Sequence, residues 1–93
     1  MEFEWDSAKA QRNQRKHRVT FDQATAVFDD SAALIELDET TDEERWNAIG
    51  LAKDKILFVV YVERNASTYR IISARRADKD EQDRYYRQAL PQR

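Results

Sequence analysis

The 93-residue chain has no cysteine, so neither a disulfide nor a thiolate metal site can staple it. It has one histidine, His17, whereas a catalytic zinc site normally takes three protein ligands from histidine, cysteine and carboxylates; zinc catalysis is not indicated. The lone glycine, Gly50, excludes the P-loop and the dinucleotide fingerprint, which need several glycines to bring backbone close to phosphate. No cofactor is expected. With a single proline as well, the chain has no room for long flexible linkers. Its longest apolar run is the seven residues Ile56 to Val62, far short of the ~20 that span a bilayer, so no membrane association is expected. The first twenty residues lack the apolar core of a secretory signal, which makes a cytoplasmic location the expectation. Ser73 and His17 could be written as part of a hydrolase triad, but no nucleophile elbow surrounds any serine.

What is present is charge: 37% of residues are Asp, Glu, Lys or Arg, against 41% hydrophobic. That balance fits one small domain over residues 1–93, which buries only about 60 to 65% of its unfolded surface. The net charge of −2 divides into +2 over residues 1–20, −7 over 21–60 and +3 over 61–93. Two basic ends brought to one side would form a phosphate-binding surface beside an acidic one; the same charges also suit solvated helix faces.

The pattern reads as an α+β fold. Phe3 to Trp5 alternate as a short strand, and Asp6 caps a polar helix running to about His17. Lys9, Arg12 and Lys16 share one face of that helix, either as a solubilising stripe or as a phosphate-contacting one. Thr20 and Gln23 form a capping box for a second helix, with Phe21, Ala24 and Phe28 on its core face. A strand over Ala33 to Leu37 and an acidic stretch from Asp38 to Glu44 follow. Arg45 to Ala52, Lys55 to Glu63 and Tyr69 to Arg76 then read as a meander, the middle run apolar on both sides and therefore central. Asp78 caps a charged helix that runs to about Ala89 and ends before Pro91. The expected architecture is two N-terminal helices, a small antiparallel sheet of three to four main strands plus a short N-terminal strand, and a C-terminal helix, with part of one sheet face left open.

Arginines concentrate at the end of the last strand. Strict alternation places Arg70 and Arg76 with Ile72 and Ala74, and Ser73 and Arg75 with Ile71. Arginine's planar fork suits phosphate, and cations stabilise charge that develops at a phosphoryl centre; an ion pair with a nearby acid is the alternative for each. RNA offers metal-free chemistry, in which the 2′-hydroxyl attacks the adjacent phosphate while a base takes its proton and an acid protonates the leaving oxygen. His17 cannot fill both proton roles in one step, so it needs a second group such as Glu44, Glu81, Tyr85 or Lys16. A histidine at a helix C-terminus also serves simply as a dipole partner.

The segments Phe3-Glu4-Trp5-Asp6, then Lys9, Asn13, Lys16-His17, Val19, Phe21, Ala24 and Val27-Phe28-Asp29-Asp30, followed by Glu44-Arg45, Ile49-Gly50 and Arg70-Ile71-Ile72-Ser73-Ala74-Arg75-Arg76-Ala77, with Glu81 and Tyr85 downstream, resemble in order the BrnT-type ribonuclease toxins. Where many relatives have glycine after the Lys-His pair, this chain has Arg18. The resemblance implies a RelE-like fold and metal-independent RNA cleavage that arrests translation and growth. It also implies a BrnA-type antitoxin partner, with operator DNA reached only through the antitoxin complex. On that basis Arg75 and Arg76 are candidates for transition-state stabilisation, His17, Glu44 and Tyr85 for proton transfer, and Lys9, Arg12, Lys16, Arg45 and Arg70 for RNA contact. The competing reading is a non-catalytic protein- or nucleic-acid-binding module, including a degenerate toxin that retains only antitoxin binding.

Overall fold

The computed structural model describes residues 1–90. The elements are β1 (Glu2–Glu4), α1 (Ser7–His17), α2 (Phe21–Thr25) continuing as a 3-10 turn (Ala26–Asp29), β2 (Leu34–Asp38), β3 (Arg45–Ala52), β4 (Lys55–Asn65), β5 (Thr68–Arg76) and α3 (Lys79–Ala89). Helix starts follow the caps read in the sequence. Asp6 accepts from Lys9 N–H, and Thr20–Gln23 and Asp78–Glu81 form reciprocal capping boxes that satisfy N–H groups left free at a helix start. Helix α1 stops at Arg18, whose φ of 60° is left-handed and whose N–H bonds Gln14 C=O, a conformation that glycine adopts at less cost. Pro91, expected to follow α3, lies outside the described residues.

The sheet order is β1-β5-β4-β3-β2. The four long strands are antiparallel, and the doubly apolar β4 is central as its pattern predicts. Strand β1, however, runs parallel to β5, Glu4 opposite Arg70, so the sheet is mixed rather than antiparallel. The reason is topological. β1 is joined to the sheet's other end by α1 and α2, a crossover that brings it in beside β5 and not through a hairpin.

A second correction concerns β5. Val60 pairs with Ser73 but Tyr61 with Ile71, so Ile72 is the extra residue of a bulge. The bulge shifts alternation by one. Ile71 and Ala74 both face the core on the α1/α2 side, with Val59 and Tyr61, while Arg70, Ser73 and Arg75 lie with Val62, Val60 and Phe58 on the other face. Strict alternation had separated Arg70 from Arg75; the structure puts them on one side.

Helices cover both faces in part. On the first, Val19, Phe21, Ala24 and Val27 pack against Ala48, Leu57, Val59 and Ile71. On the second, Ala77 and Tyr85 pack against Ile49 and Ile56. Gly50 sits where β3 passes under the 3-10 turn, and a Cβ there would lie 2.8 Å from Val27 Cγ1 and 3.2 Å from Ala33 Cβ. Gly50→Ala is therefore expected to destabilise by about 1–3 kcal/mol through overpacking, read as a lower urea midpoint with unchanged m-value.

Candidate functional site

Strand β1 pairs with β5 only as far as Arg70, which leaves the rest of that edge to be covered otherwise. Helix α1 covers it with Asn13, 8% exposed. Its Nδ2 donates to Ala74 C=O at 2.8 Å and Val19 C=O at 3.0 Å, and its Oδ1 accepts from Ala74 N–H at 3.1 Å. The side chain replaces one residue of a neighbouring strand and satisfies backbone groups that would otherwise be buried unpaired. Because Glu4 lies level with Arg70 and Asn13 with Ala74, α1 travels along β5 in the same direction. His17, four residues on, advances about 6 Å at 1.5 Å per residue. His17 is the last residue of α1 and is half-buried.

Rotation about α1 orders the rest. Ala10 packs on the core and Asn13 reaches the strand edge. At 100° per residue, Lys9, Lys16 and Arg12 come next around the helix, on the side turned away from Ala10 and the core. All three cations are exposed, and none is ion-paired among the described residues.

Arg75 is the best-organised of the sheet arginines. Its guanidinium lies 4.2 Å from the Phe58 ring centre and grips Glu81 through a two-point fork, Nη1–Oε1 2.8 Å and Nη2–Oε2 2.9 Å. Burial pushes the Glu81 carboxyl up, but the fork and Asp78 N–H outweigh it and hold the carboxyl below its usual range. The fork likewise raises Arg75, against the opposing effect of burial. Glu81 is more enclosed than its partner, with side-chain exposures of 12% and 36%. Arg70 binds Glu4 at 2.7 Å, Arg84 binds Glu36 at 2.6 Å and Arg45 binds Glu43 at 3.0 Å.

Arg75 and Arg76 end β5 on opposite faces of the strand, with Arg76 exposed, and His17 ends α1, the helix packed along that strand. Arg45 and Arg70 lie at the other end, on either side of Val62. Glu44 is there too, exposed in the acidic loop and about 17 Å along the sheet from Arg75, counted as roughly five strand residues. Tyr85 is buried, and its hydroxyl donates to Asp30 Oδ2 at 2.6 Å. Burial and the Asp30 carboxylate push that hydroxyl up to about 12. Asp30 also accepts from Leu51 N–H and Ala32 N–H; these bonds overcome the upward push of burial and hold its carboxyl low. Asp30 clamps β3, α3 and the 3-10 turn together. Its neighbours in sequence show only a turn, since two of its three donors are 21 and 55 residues away.

No three His, Cys, Asp or Glu side chains converge as metal ligands among the described residues. No described helix is long and apolar enough to cross a membrane.

No curated protein matches the chain. The fold is similar to the 1.1 Å crystal structure of the Brucella abortus ribonuclease toxin BrnT, with a TM-score of 0.70 and 27% identity over 85% of this chain and 99% of that one. The family model for the ribonuclease toxin BrnT of type II toxin-antitoxin systems matches residues 5–81, a span that includes His17, Arg75, Arg76 and Glu81 and stops short of Tyr85. The chain belongs to the BrnT family of type II toxin-antitoxin ribonuclease toxins.

Proposed function

We propose that residues 1–93 act as one RelE-like toxin domain, a metal-independent endoribonuclease of the cytoplasm that arrests translation and growth. A BrnA-type antitoxin neutralises it, and operator DNA is engaged only through that complex. The observation that supports this reading is the Arg75 guanidinium, held over Phe58 and by Glu81 at the end of β5, together with the unpaired stripe Lys9, Arg12 and Lys16 on the helix packed along that strand.

The stripe holds the RNA backbone, which a chain of net charge −2 can do only through a focused patch. Arg75, fixed by Phe58 and Glu81, presents its charge to the scissile phosphate and stabilises the negative charge that grows as the 2′-hydroxyl attacks. Arg76 reaches the same strand end from the opposite side. His17 exchanges a proton with the reacting oxygens. Glu44 and Tyr85 take other parts: Glu44 adds to the acidic loop, and Tyr85 holds α3 through Asp30.

The test is cleavage of free RNA by antitoxin-free protein in excess EDTA. The parent is expected to cut, and His17→Ala to cut about 10²- to 10⁴-fold more slowly. A parent inactive both alone and with ribosomes would overturn the reading. Replacing Lys9, Arg12 and Lys16 together by alanine is expected to reduce the slope of log affinity for single-stranded RNA against log salt by about 2, three contacts at ~0.7 each.

A second reading draws on the carboxylate already held by each of Arg45, Arg70, Arg75 and Arg84. Such neutralised arginines suit a chain that keeps antitoxin binding without cleavage. It differs in outcome: a tight antitoxin complex and no growth arrest on expression.

A further inference from the structure

The face of the sheet opposite Arg75 is only partly covered. Helices α1 and α2 end before β2, and a groove of about 670 Å³ remains between the 3-10 turn and the sheet. Phe28, Trp46, Tyr61 and Tyr69 line it, Phe28 and Tyr61 meeting edge to face at 4.9 Å and Tyr61 and Tyr69 lying 4.7 Å apart. These rings are held by one another and form a firm apolar floor. Beside it runs β2, the sheet's outer strand, paired only with β3. Ile35 and Leu37 project to the groove side of β2 and are 45% and 48% exposed. An edge strand with free backbone groups, no proline and no lysine is a template for another strand.

Charge selects the occupant. Asp29 and Glu63 line the groove, and the adjoining β2–β3 loop carries Glu39, Asp42, Glu43 and Glu44, within the segment of net charge −7. An RNA backbone would be repelled there. A second copy of this chain would set one acidic rim against another. A basic protein segment meets neither objection.

We propose that this groove and the β2 edge dock an extended, basic segment of the antitoxin, which adds as a sixth strand beside β2. Bulky apolar side chains at alternate positions continue the row of Ile35 and Leu37 onto the aromatic floor, and flanking lysines or arginines meet the β2–β3 loop. The segment anchors on the face away from Arg75. The proposal rests on the toxin reading for the identity of the partner and not on which residues cut RNA.

The experiment uses the cognate antitoxin co-purified with the full chain, then titrated calorimetrically against the free chain. Ile35→Lys/Leu37→Lys is expected to weaken binding by about 30-fold or more, the scale of removing a central apolar anchor. Asp42→Lys/Glu43→Lys is expected to weaken it as well, with a shallower salt dependence than the parent. Both pairs are exposed, and both variants are expected to keep the parent's circular dichroism and RNA cleavage. Unchanged antitoxin affinity in the apolar variant overturns the proposal. So does self-association of the parent that this variant abolishes, or protection of the groove by a short RNA in place of antitoxin. A parent that binds through the groove yet cuts no RNA upholds the proposal and overturns only the catalytic reading.

Discussion

Arg75→Ala is expected to lower RNA cleavage by about 10²- to 10³-fold, the scale of removing one preorganised donor from a site of developing negative charge. The size follows from how Arg75 is held. A flexible surface arginine must be ordered at each encounter, whereas this guanidinium is already fixed over Phe58 and by the Glu81 fork. Arg75→Lys keeps the charge but loses both the fork and the stacking, and it is expected to recover only part of the rate. Arg75→Ala also leaves the Glu81 carboxylate without its cation. Asp78 N–H still donates to that carboxylate, but at 12% exposure the Glu81 side chain is largely enclosed, so some loss of stability is expected beside the loss of rate. Glu81→Gln separates the two effects. Glutamine can keep the reciprocal cap with Asp78 while freeing Arg75 for phosphate. Single-turnover cleavage of one RNA by all four proteins, with circular dichroism melts alongside, is the measurement. A fully active, folded Arg75→Ala protein would remove Arg75 from the mechanism.

Asn13→Ala is expected to cost about 3 kcal/mol of stability, from one lost side chain with three buried hydrogen bonds. Each bond contributes little by itself. The larger effect is that Ala74 N–H and C=O and Val19 C=O lose their partner in a place where no strand can replace it. For a domain of this size 1 kcal/mol corresponds to roughly 4–8 °C, so the melting temperature is expected to fall by about 12–24 °C. Asn13→Asp keeps an acceptor for Ala74 N–H but turns a carboxylate toward two carbonyls, and is expected to be no better than alanine. Urea unfolding at neutral pH measures both. A loss below about 1 kcal/mol would mean that water reaches the β5 edge and serves it as well as the side chain does. Loss of Asn13 also loosens α1, which carries His17 and the cationic stripe, so RNA affinity is expected to fall with stability in this variant.

These two residues differ in how far the sequence reveals them. Arg75 stands out by composition, as one of two adjacent arginines ending a strand, and the ordered segments around it point to the family. Its partner and its facing are another matter. The bulge at Ile72 inserts one residue into β5, and one residue is enough to move Arg75 to the side of Arg70. Asn13 is an ordinary polar residue in a polar helix, and its acceptor lies 61 positions away. The family resemblance includes Asn13, but its bonding role is not separable by local pattern from that of Gln11 or Gln14.

Element type and position were legible because their causes are local. Asp6, Thr20 with Gln23 and Asp78 with Glu81 bond within three residues and start helices wherever they occur. A run apolar on both faces makes β4 central regardless of what flanks it. The cationic stripe of α1 is likewise a matter of helical spacing. Only tertiary structure decided that β1 joins β5 in parallel, that Arg75 shares a face with Arg70, and that Glu44 lies at the far end of the sheet from Arg75. It also decided that Tyr85 is spent on Asp30 and that the acidic middle of the chain rims an aromatic groove beside a free strand edge. Hydrogen bonds within a few residues and side-chain periodicity are properties of a short stretch of chain. Strand partners, bulges and ion pairs across 48 or 66 residues are properties of the whole folded chain, and they decide which charges meet.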